Sequence, residues 1–264
     1  MCSSDLGIEK NGKIIWSQPE ILFYEQDLLK RMSYPDLIEQ DGRFWITETN
    51  KENARCHEIP AGFFEVLWDQ FEINRVAEDN LIYSFDSTHL PDNTIIPLET
   101  DRKISFEKGI SVDLQMELSS PAPEQIIFEL KGENRKSITM QTGNYGDVEV
   151  IMSDGDIISR WSSDPGIIPP YGKHNIIVTL DNGPKIIQFI IDGIVCNGNQ
   201  SRQFGWGRYN SEMRDFSPSS LLTGNLIKRD VNVTGKLYHL KLYNKAIMNT
   251  EAIGNQRYYM SLID

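Results

Sequence analysis

Two groups of residues have side chains suited to chemistry, and the first combines a tyrosine with carboxylates. Tyr34 and Asp36 lie shortly before an Asp41-Gly42 dipeptide, and Glu48 lies shortly after it. Glycoside hydrolysis needs paired carboxylates or an activated tyrosine at a controlled distance, so these three residues are candidates for a catalytic rim. The structural alternative is that Asp36 accepts a turn hydrogen bond, while Tyr34 and Glu48 are ordinary strand residues.

The second group is a short aromatic loop. Residues 203–209 read QFGWGRY, so three aromatic residues and one arginine lie among glycines, namely Phe204, Trp206, Arg208 and Tyr209. Aromatic faces stack on the C–H faces of sugars, and arginine donates forked hydrogen bonds to hydroxyls or carboxylates. The loop therefore predicts a carbohydrate-binding site. The alternative is that Phe204 and Trp206 plug a sheet edge or a domain interface.

The signals for a metal or a cofactor are weaker. Turn carboxylates occur at five positions, but without the spacing of an EF-hand: Asp147, Asp154, Asp156, Asp181 and Asp192. The four histidines have no metal-ligand spacing, and the sequence has no phosphate-binding glycine loop, nucleophile elbow or Cys-x-x-Cys motif. We expect no cofactor. A calcium-binding site stays an alternative, although turn formation explains each aspartate without a metal ion.

The composition excludes several classes of partner. The 264 residues carry 26 Lys and Arg against 38 Asp and Glu, a net charge of −12. Nucleic acids and anionic membranes bind basic surfaces, so we expect neither as a partner. The apolar runs are much shorter than the roughly 20 residues of a membrane span. The three cysteines, Cys2, Cys56 and Cys196, are an odd number without metal spacing, and a single Cys56–Cys196 disulfide stays open.

Short strands must position the first group of residues. Residues 14–58 indicate about one four-stranded β unit, in which Asp41-Gly42 makes a hairpin turn before the strand at residues 44–49. One such unit is too small to fold alone. Residues 60–71 predict a helix, with apolar residues at spacings of three and four. A polar linker follows over residues 74–101, in which residues 81–85 can form an edge strand.

The second half of the chain predicts strand after strand. The predicted strands cover residues 103–106, 110–118, 125–131, 137–142, 147–152, 156–161, 174–180, 186–192, 194–196 and 235–243. Many short strands separated by turns are typical of an all-β sandwich or jelly roll. Asp192-Gly193 predicts a tight hairpin turn. A short helix at residues 249–257, capped by Asn249 or Thr250, ends the pattern.

Three segments of this half resemble the laminin-G-like, or concanavalin-A-like, jelly-roll family. They are KGISVDL at residues 108–114, HNIIVTLD with IIQFIIDG at residues 174–193, and GKLYHLKLYNKA at residues 235–246. The resemblance covers about residues 101–262 and implies a jelly-roll fold. It departs from the family at residue 190, where Ile190 replaces a usual tyrosine, and before His174, where a tryptophan is missing.

The first half resembles the last part of a sialidase-type β-propeller. The segments WSQPE at residues 16–20 and SYPDLIEQDGRFWITET at residues 33–49 carry this resemblance. It implies Tyr34 as the catalytic nucleophile and Glu48 as the carboxylate that activates it. The Asp-box and the arginines that hold the sugar carboxylate are missing, and Pro35 replaces a usual serine. A propeller site is assembled from several blades, so one blade is expected to lack activity.

The sequence therefore predicts a truncated propeller blade at residues 1–59, a helix and linker at 60–100, and a jelly roll at 101–264. The leading hypothesis is a non-catalytic, carbohydrate-associated jelly-roll module at the C-terminus of a truncated, sialidase-like, glycan-degrading protein. A glycan is its candidate partner, and the module would contact the missing propeller blades of the same protein. One alternative is a glycoside hydrolase fragment whose jelly roll only buttresses the propeller. Another is a structural or protein-adhesion module.

The start of the chain bears on where the protein acts. MCSSDL at residues 1–6 back-translates to a common sequencing-adapter end, which suggests a truncated reading frame. An ordinary flexible N-terminus is the alternative. We expect a secreted or surface bacterial protein, extracellular or periplasmic, whose signal sequence lies upstream.

Overall fold

The structure is a computed structural model that describes residues 2–24, 32–50, 52–86, 95–97, 104–120, 122–198, 206–213, 216, 218–223 and 235–262. The chain divides into two units. Unit 1 comprises residues 1–76 and 248–264, and unit 2 comprises residues 77–247. The C-terminal helix, which the sequence analysis assigned to the jelly roll, is thus grouped with unit 1. Among the described residues, no helix is long and apolar enough to cross a membrane.

The described residues of unit 1 form several small antiparallel sheets and two helices. Its strands are β1 (Cys2–Ser4), β2 (Gly7–Lys10), β3 (Lys13–Trp16), β4 (Glu20–Phe23), β5 (Ser33–Gln40), β6 (Arg43–Thr49) and β7 (Ala54–Ile59). Strand β1 pairs with β4, β2 with β3, and β5, β6 and β7 form a three-stranded sheet. The predicted four-stranded unit is therefore not one sheet. Asn11 and Gly12, both at positive φ, turn β3 back onto β2 instead.

Helix α1 (Ala61–Asp69) follows Pro60, as the sequence predicts. Its Leu67 is fully buried, and its Phe64 packs against Phe44 of β6 with ring centroids 4.5 Å apart. Trp68, one of the apolar residues at the spacing that predicts this helix, is 49% exposed. The apolar spacing thus located the helix but not the limits of its buried face.

Helix α2 (Asn249–Ser261) is capped by a residue distant in sequence. The carboxylate of Glu20 on β4 accepts hydrogen bonds from the backbone N–H groups of Asn249 and Thr250, at 3.1 and 2.6 Å. Burial raises the pKa of Glu20 to about 7. Asn249 and Thr250 are therefore not the capping residues that the sequence predicts. The N-cap is Met248, and the Nδ2 of Asn249 donates instead to the carbonyl oxygen of Pro19, at 2.5 Å.

In unit 2, the residues that the structure describes form two antiparallel sheets. Its strands are β8 (Leu81–Asp86), β9 (Ile95–Pro97), β10 (Ile110–Leu118), β11 (Ile126–Gly132), β12 (Lys136–Thr142), β13 (Val148–Asp154), β14 (Ile158–Ser162), β15 (Lys173–Asp181), β16 (Ile186–Ile191), β17 (Ile194–Val195), β18 (Trp206–Arg208), β19 (Pro218–Thr223) and β20 (Gly235–Tyr243). Sheet I has the order β17-β16-β15-β10-β20-β8, with β18 also paired to β16. Sheet II has the order β14-β13-β12-β11-β19-β9. The all-β class and the predicted edge strand at residues 81–85 are confirmed.

Apolar side chains from both sheets form a single core. Alternate residues of β10 face it, and Phe128 and Met140 of sheet II belong to the same cluster. The predicted strand at residues 103–106 is wrong over its described part, because Phe106–Lys108 form a 3₁₀ turn whose N-cap is Ser105. Strands β9, β18 and β19 were not predicted. They are short or lie in polar segments, where alternation is a weak signal.

The predicted hairpin at Asp192-Gly193 is confirmed. Asp192 and Gly193 have φ values of 52° and 78°, and β16 and β17 pair on either side of them. The Asp192 carboxylate also accepts from the backbone N–H of Asn175 at 2.9 Å and lies 2.8 Å from Nδ1 of His174. The other ring nitrogen of His174 lies 3.2 Å from the carbonyl oxygen of Pro169. Both ring nitrogens thus face acceptors, which suits the protonated imidazolium with its two N–H donors.

Replacing Gly193 with valine should lower the free energy of unfolding by about 1–3 kcal/mol, because a β-branched residue resists positive φ. Chemical denaturation measures this change. Gly193→Asn is the matched control, since asparagine tolerates the left-handed region, and it should lose much less stability. Equal stability of the valine variant and the wild type would contradict the turn geometry.

The stabilising effect of His174 should depend on pH. The hydrogen bond with Asp192 raises the pKa of His174 in the folded chain. Its contribution is therefore fully present below the unfolded-state pKa of about 6.5 and is lost as the pH rises through the folded-state pKa. The difference in unfolding free energy between wild type and His174→Gln should accordingly shrink from about pH 6 to about pH 9. Asp192→Asn keeps a residue that tolerates the turn but should abolish this dependence. A difference that stays constant with pH would refute the assignment.

Candidate functional site

Tyr34 lies in a β-bulge of strand β5. Ser33 pairs with Thr49 and Asp36 pairs with Thr47, so Tyr34 and Pro35 together lie opposite Glu48. Tyr34 has a φ of 53° and is 85% exposed, whereas Glu48 is 1% exposed. Within the described residues no hydrogen bond joins these two side chains. The bulge brings them to one point of the ladder, but the ring lies in solvent and the carboxylate is buried.

The Glu48 carboxylate contacts side chains of strand β7 rather than the Tyr34 hydroxyl. Arg55 and His57 share its face of the sheet, because Arg55 lies directly opposite Glu48 and His57 lies opposite Ile46. Arg55 Nε donates a hydrogen bond to Glu48 Oε1, and His57 Nε2 lies 3.5 Å from the same oxygen. The His57 ring stacks on Phe23 with centroids 5.3 Å apart.

This environment keeps Glu48 ionised. The hydrogen bond from Arg55 holds the pKa of Glu48 below its ordinary value. Its second oxygen, Oε2, is buried and has no hydrogen-bond partner in the described part of the chain. An ionised carboxylate accepts hydrogen bonds and cannot deliver a proton, so Glu48 is not suited to general-acid catalysis near neutral pH.

Sequence reasoning did not single out Arg55 and His57. The usable signal was the hairpin between β6 and β7. Counting outward from the Thr49–Ala54 pair places Glu48 opposite Arg55, and the alternation of strand faces adds His57.

Strand β18 presents two residues of the aromatic loop on one face. Trp206 pairs with Gln188 and Arg208 pairs with Ile186, so both lie on the side of β16 that faces away from the core. Gly207 between them lies on the core side. A Cβ atom there would stand 2.4 Å from the ring of Trp161, so this close approach requires glycine. Trp206 and Arg208 are each partly exposed.

Tyr209 points into the protein. Its hydroxyl donates to Asn182 Oδ1 at 3.1 Å, and its ring packs edge-on against Phe106. Burial raises the pKa of Tyr209, whose side chain is only 3% exposed. Tyr209 thus anchors the end of β18, which corrects its predicted role as a sugar-stacking ring. The fourth predicted contact, Phe204, lies outside the described residues.

On the face of sheet I that points away from the core, a row of buried polar side chains continues from β18. The register places Gln188, Thr179 and Ser111 in one row beside Trp206. All three are buried, and Ser111 Oγ accepts from the N–H of Ile247 and donates to the carbonyl oxygen of Lys245.

A second polar group lies further along the same face. Asp113 Oδ1 accepts from Asn175 Nδ2 at 2.8 Å and lies 3.3 Å from His239 Nε2. Lys241 Nζ donates to Ser84 Oγ at 2.9 Å. Within the described residues, Asn175 Oδ1 is buried without a hydrogen-bond partner. This face is therefore mixed: buried polar side chains of β10 lie beside buried apolar residues, because Ile177 lies opposite Asp113 and Ile190 lies opposite Ile177.

The turn aspartates are used by the backbone. Asp154 accepts from the N–H groups of Asp156, Ile157 and Glu212, and these bonds lower the pKa of Asp154 to about 2. Asp147 accepts from the N–H of Tyr145 at 2.8 Å. Across the described ranges, no group of three or more His, Cys, Asp or Glu residues is arranged to hold a metal ion. Cys56 and Cys196 are free cysteines, so the possible disulfide between them is absent.

Comparison with known proteins gives distant structural likenesses. No protein-family model matches the chain. No curated protein gives a significant match. Among solved structures, the CBM40 domain of the Ruminococcus gnavus IT-sialidase, bound to α2,3-sialyllactose, has 10% identity and a TM-score of 0.48, covering 66% of this chain and 97% of that one.

Two whole sialidases are also similar in structure. The K499G mutant of NanB sialidase from Streptococcus pneumoniae has 14% identity and a TM-score of 0.48, over 66% of this chain and 28% of that chain. The Trypanosoma rangeli sialidase has 10% identity and a TM-score of 0.43, over 99% of this chain and 54% of that chain. At these identities and TM-scores, the likenesses assign neither a family nor an activity to this chain.

Proposed function

We propose that unit 2 is a glycan-binding module of the laminin-G-like, concanavalin-A-like jelly-roll type. Trp206 and Arg208 are its ligand contacts. The observation that carries the proposal is the register of β18, which places both side chains on one face beside Gln188. An indole face and a guanidinium fork supply a stacking surface with hydrogen-bond donors. Neighbours on one face of a strand are about 7 Å apart, which suits contact with a single sugar unit.

The site is held rigidly enough to select a ligand. Pairing with β16 fixes the backbone of β18. The close approach of Gly207 to the Trp161 ring fixes the distance between β18 and strand β14, and the Tyr209 hydrogen bond to Asn182 anchors the end of β18. Side chains on a paired strand lose less freedom on binding than those on a mobile loop. This support favours binding over a purely space-filling role for Trp206.

We further propose that the chain is non-catalytic by itself and belongs to a longer, secreted or surface-attached, sialidase-like protein. Unit 1 would be the last part of that protein's propeller, in contact with its other blades. The separation of the exposed Tyr34 from the ion-paired Glu48 supports the absence of catalysis. A nucleophile requires its activating base within hydrogen-bond reach.

Glycan binding is tested with the full chain on a glycan array, followed by titration with sialyllactose and lactose. Trp206→Ala should weaken binding of the best ligand about 2- to 10-fold, and Arg208→Lys should weaken it through loss of the planar fork. Trp68→Ala is the matched control, because it removes an exposed tryptophan that belongs to unit 1 and not to the proposed site in unit 2. A folded chain that binds no glycan, or a Trp206→Ala variant with unchanged affinity, would overturn the proposal.

The absence of catalysis is tested with fluorogenic sialosides, fucosides and arabinosides. We expect no turnover above buffer, because missing positioning groups forfeit roughly 7–11 kcal/mol of barrier lowering. Tyr34→Phe is the control. Turnover by the wild type that disappears in this variant would show that the chain is an enzyme after all.

A further inference from the structure

Strand β5 lies at one edge of the three-stranded sheet in unit 1. The strand order β5-β6-β7 leaves one side of β5 without a paired strand among the described residues. Seven of its eight residues are exposed, including Leu37 at 53% and Ile38 at 42%. Long edge strands with exposed apolar residues are templates for pairing with another strand.

The hairpin geometry shows which backbone groups point outward. Asp41 and Gly42, at φ values of 53° and 72°, form a two-residue turn, so the flanking Gln40 and Arg43 are a hydrogen-bonded pair. Hydrogen-bonded pairs alternate along an antiparallel ladder, which makes Ile38 and Trp45 the next such pair. The N–H and C=O groups of Leu37 and Glu39 therefore point to the open edge.

The side chains of β5 define what fits beside it. Leu37 lies on one face of the sheet and Ile38 on the other, so both faces at this edge have exposed apolar surface. Asp36 and Glu39 flank this pair, and β5 carries no basic residue. An added strand would bury Leu37 and Ile38 by placing apolar residues opposite them. It would balance the two acids with Lys or Arg opposite Asp36 and Glu39.

We propose that β5 binds an extended strand of another polypeptide with the pattern basic-apolar-apolar-basic. Backbone hydrogen bonds to Leu37 and Glu39 provide affinity, and the two acidic side chains provide selectivity. A second copy of this chain fits poorly, because each copy carries a net charge of −12 and offers acids on the same strand. The proposal does not depend on glycan binding by unit 2.

The test uses the full chain and a fluorescein-labelled synthetic peptide, SKVIKT, with SEVIET as its charge-reversed control. Fluorescence anisotropy at low salt should show binding of the basic peptide only. Glu39→Gln should weaken it about 2- to 5-fold through loss of one exposed ion pair. Glu39→Pro should weaken it about fivefold more, because it also removes the outward N–H.

The pair of variants isolates the backbone contribution. Both variants lack the Glu39 charge, so they differ only in the backbone at residue 39. The proline removes an N–H group that is not hydrogen-bonded to β6, so the NMR signals of the β6 amides should be retained in both variants. Should Glu39→Pro fail to fold, titration of the wild type followed by NMR replaces it. The amides of Leu37 and Glu39 should then shift far more than that of Ile38.

Several results would overturn the proposal. They are equal binding of SEVIET, equal affinity of the two Glu39 variants, peptide-induced shifts confined to other strands, and self-association of the chain through β5 without peptide. Glycan binding measured on the same Glu39 variants should stay at the wild-type level. Failure of the peptide experiment is thereby distinguishable from failure of the glycan proposal.

Discussion

Burial of strand β10 on both faces is the constraint on which unit 2 depends. Every residue from Ile110 to Leu118 except Glu117 is buried, and the strand pairs with β15 on one side and β20 on the other. Its core face is apolar, and removal of that apolar surface from water is the main stabilising contribution to the sandwich. Its other face is polar, so each buried group there needs a hydrogen-bond partner.

The partners of that polar face explain much of the surrounding structure. Asn175 and His239 approach Asp113 from the two neighbouring strands, and the chain after β20 folds back to Ser111. A side-chain network of this kind fixes the register of three strands more narrowly than apolar packing alone. That register extends through β16 to β18 and so determines the positions of Trp206 and Arg208.

Unit 1 depends on polar contacts between segments far apart in sequence. Glu20 caps helix α2, and Gln70 hydrogen-bonds to both the backbone of Gln18 and the hydroxyl of Thr250. Such contacts join segments from the two ends of the chain. Apolar residues nevertheless remain exposed on β3 and β5, among them Trp16 and Leu37.

The sequence by itself determined the all-β class, most strands of unit 2, helix α1 and the Asp192-Gly193 turn. These features depend on local alternation, on apolar spacing and on residues that tolerate positive φ. Only the tertiary structure decided that Glu20 caps α2, that Arg55 and His57 pair with Glu48, and that β3 turns back onto β2. It also separated Trp206 and Arg208 from Tyr209, which the sequence grouped together. Adjacent residues of a strand face opposite sides of the sheet. Pairing with distant strands decides which of these sides meets the core, and local sequence does not encode that pairing.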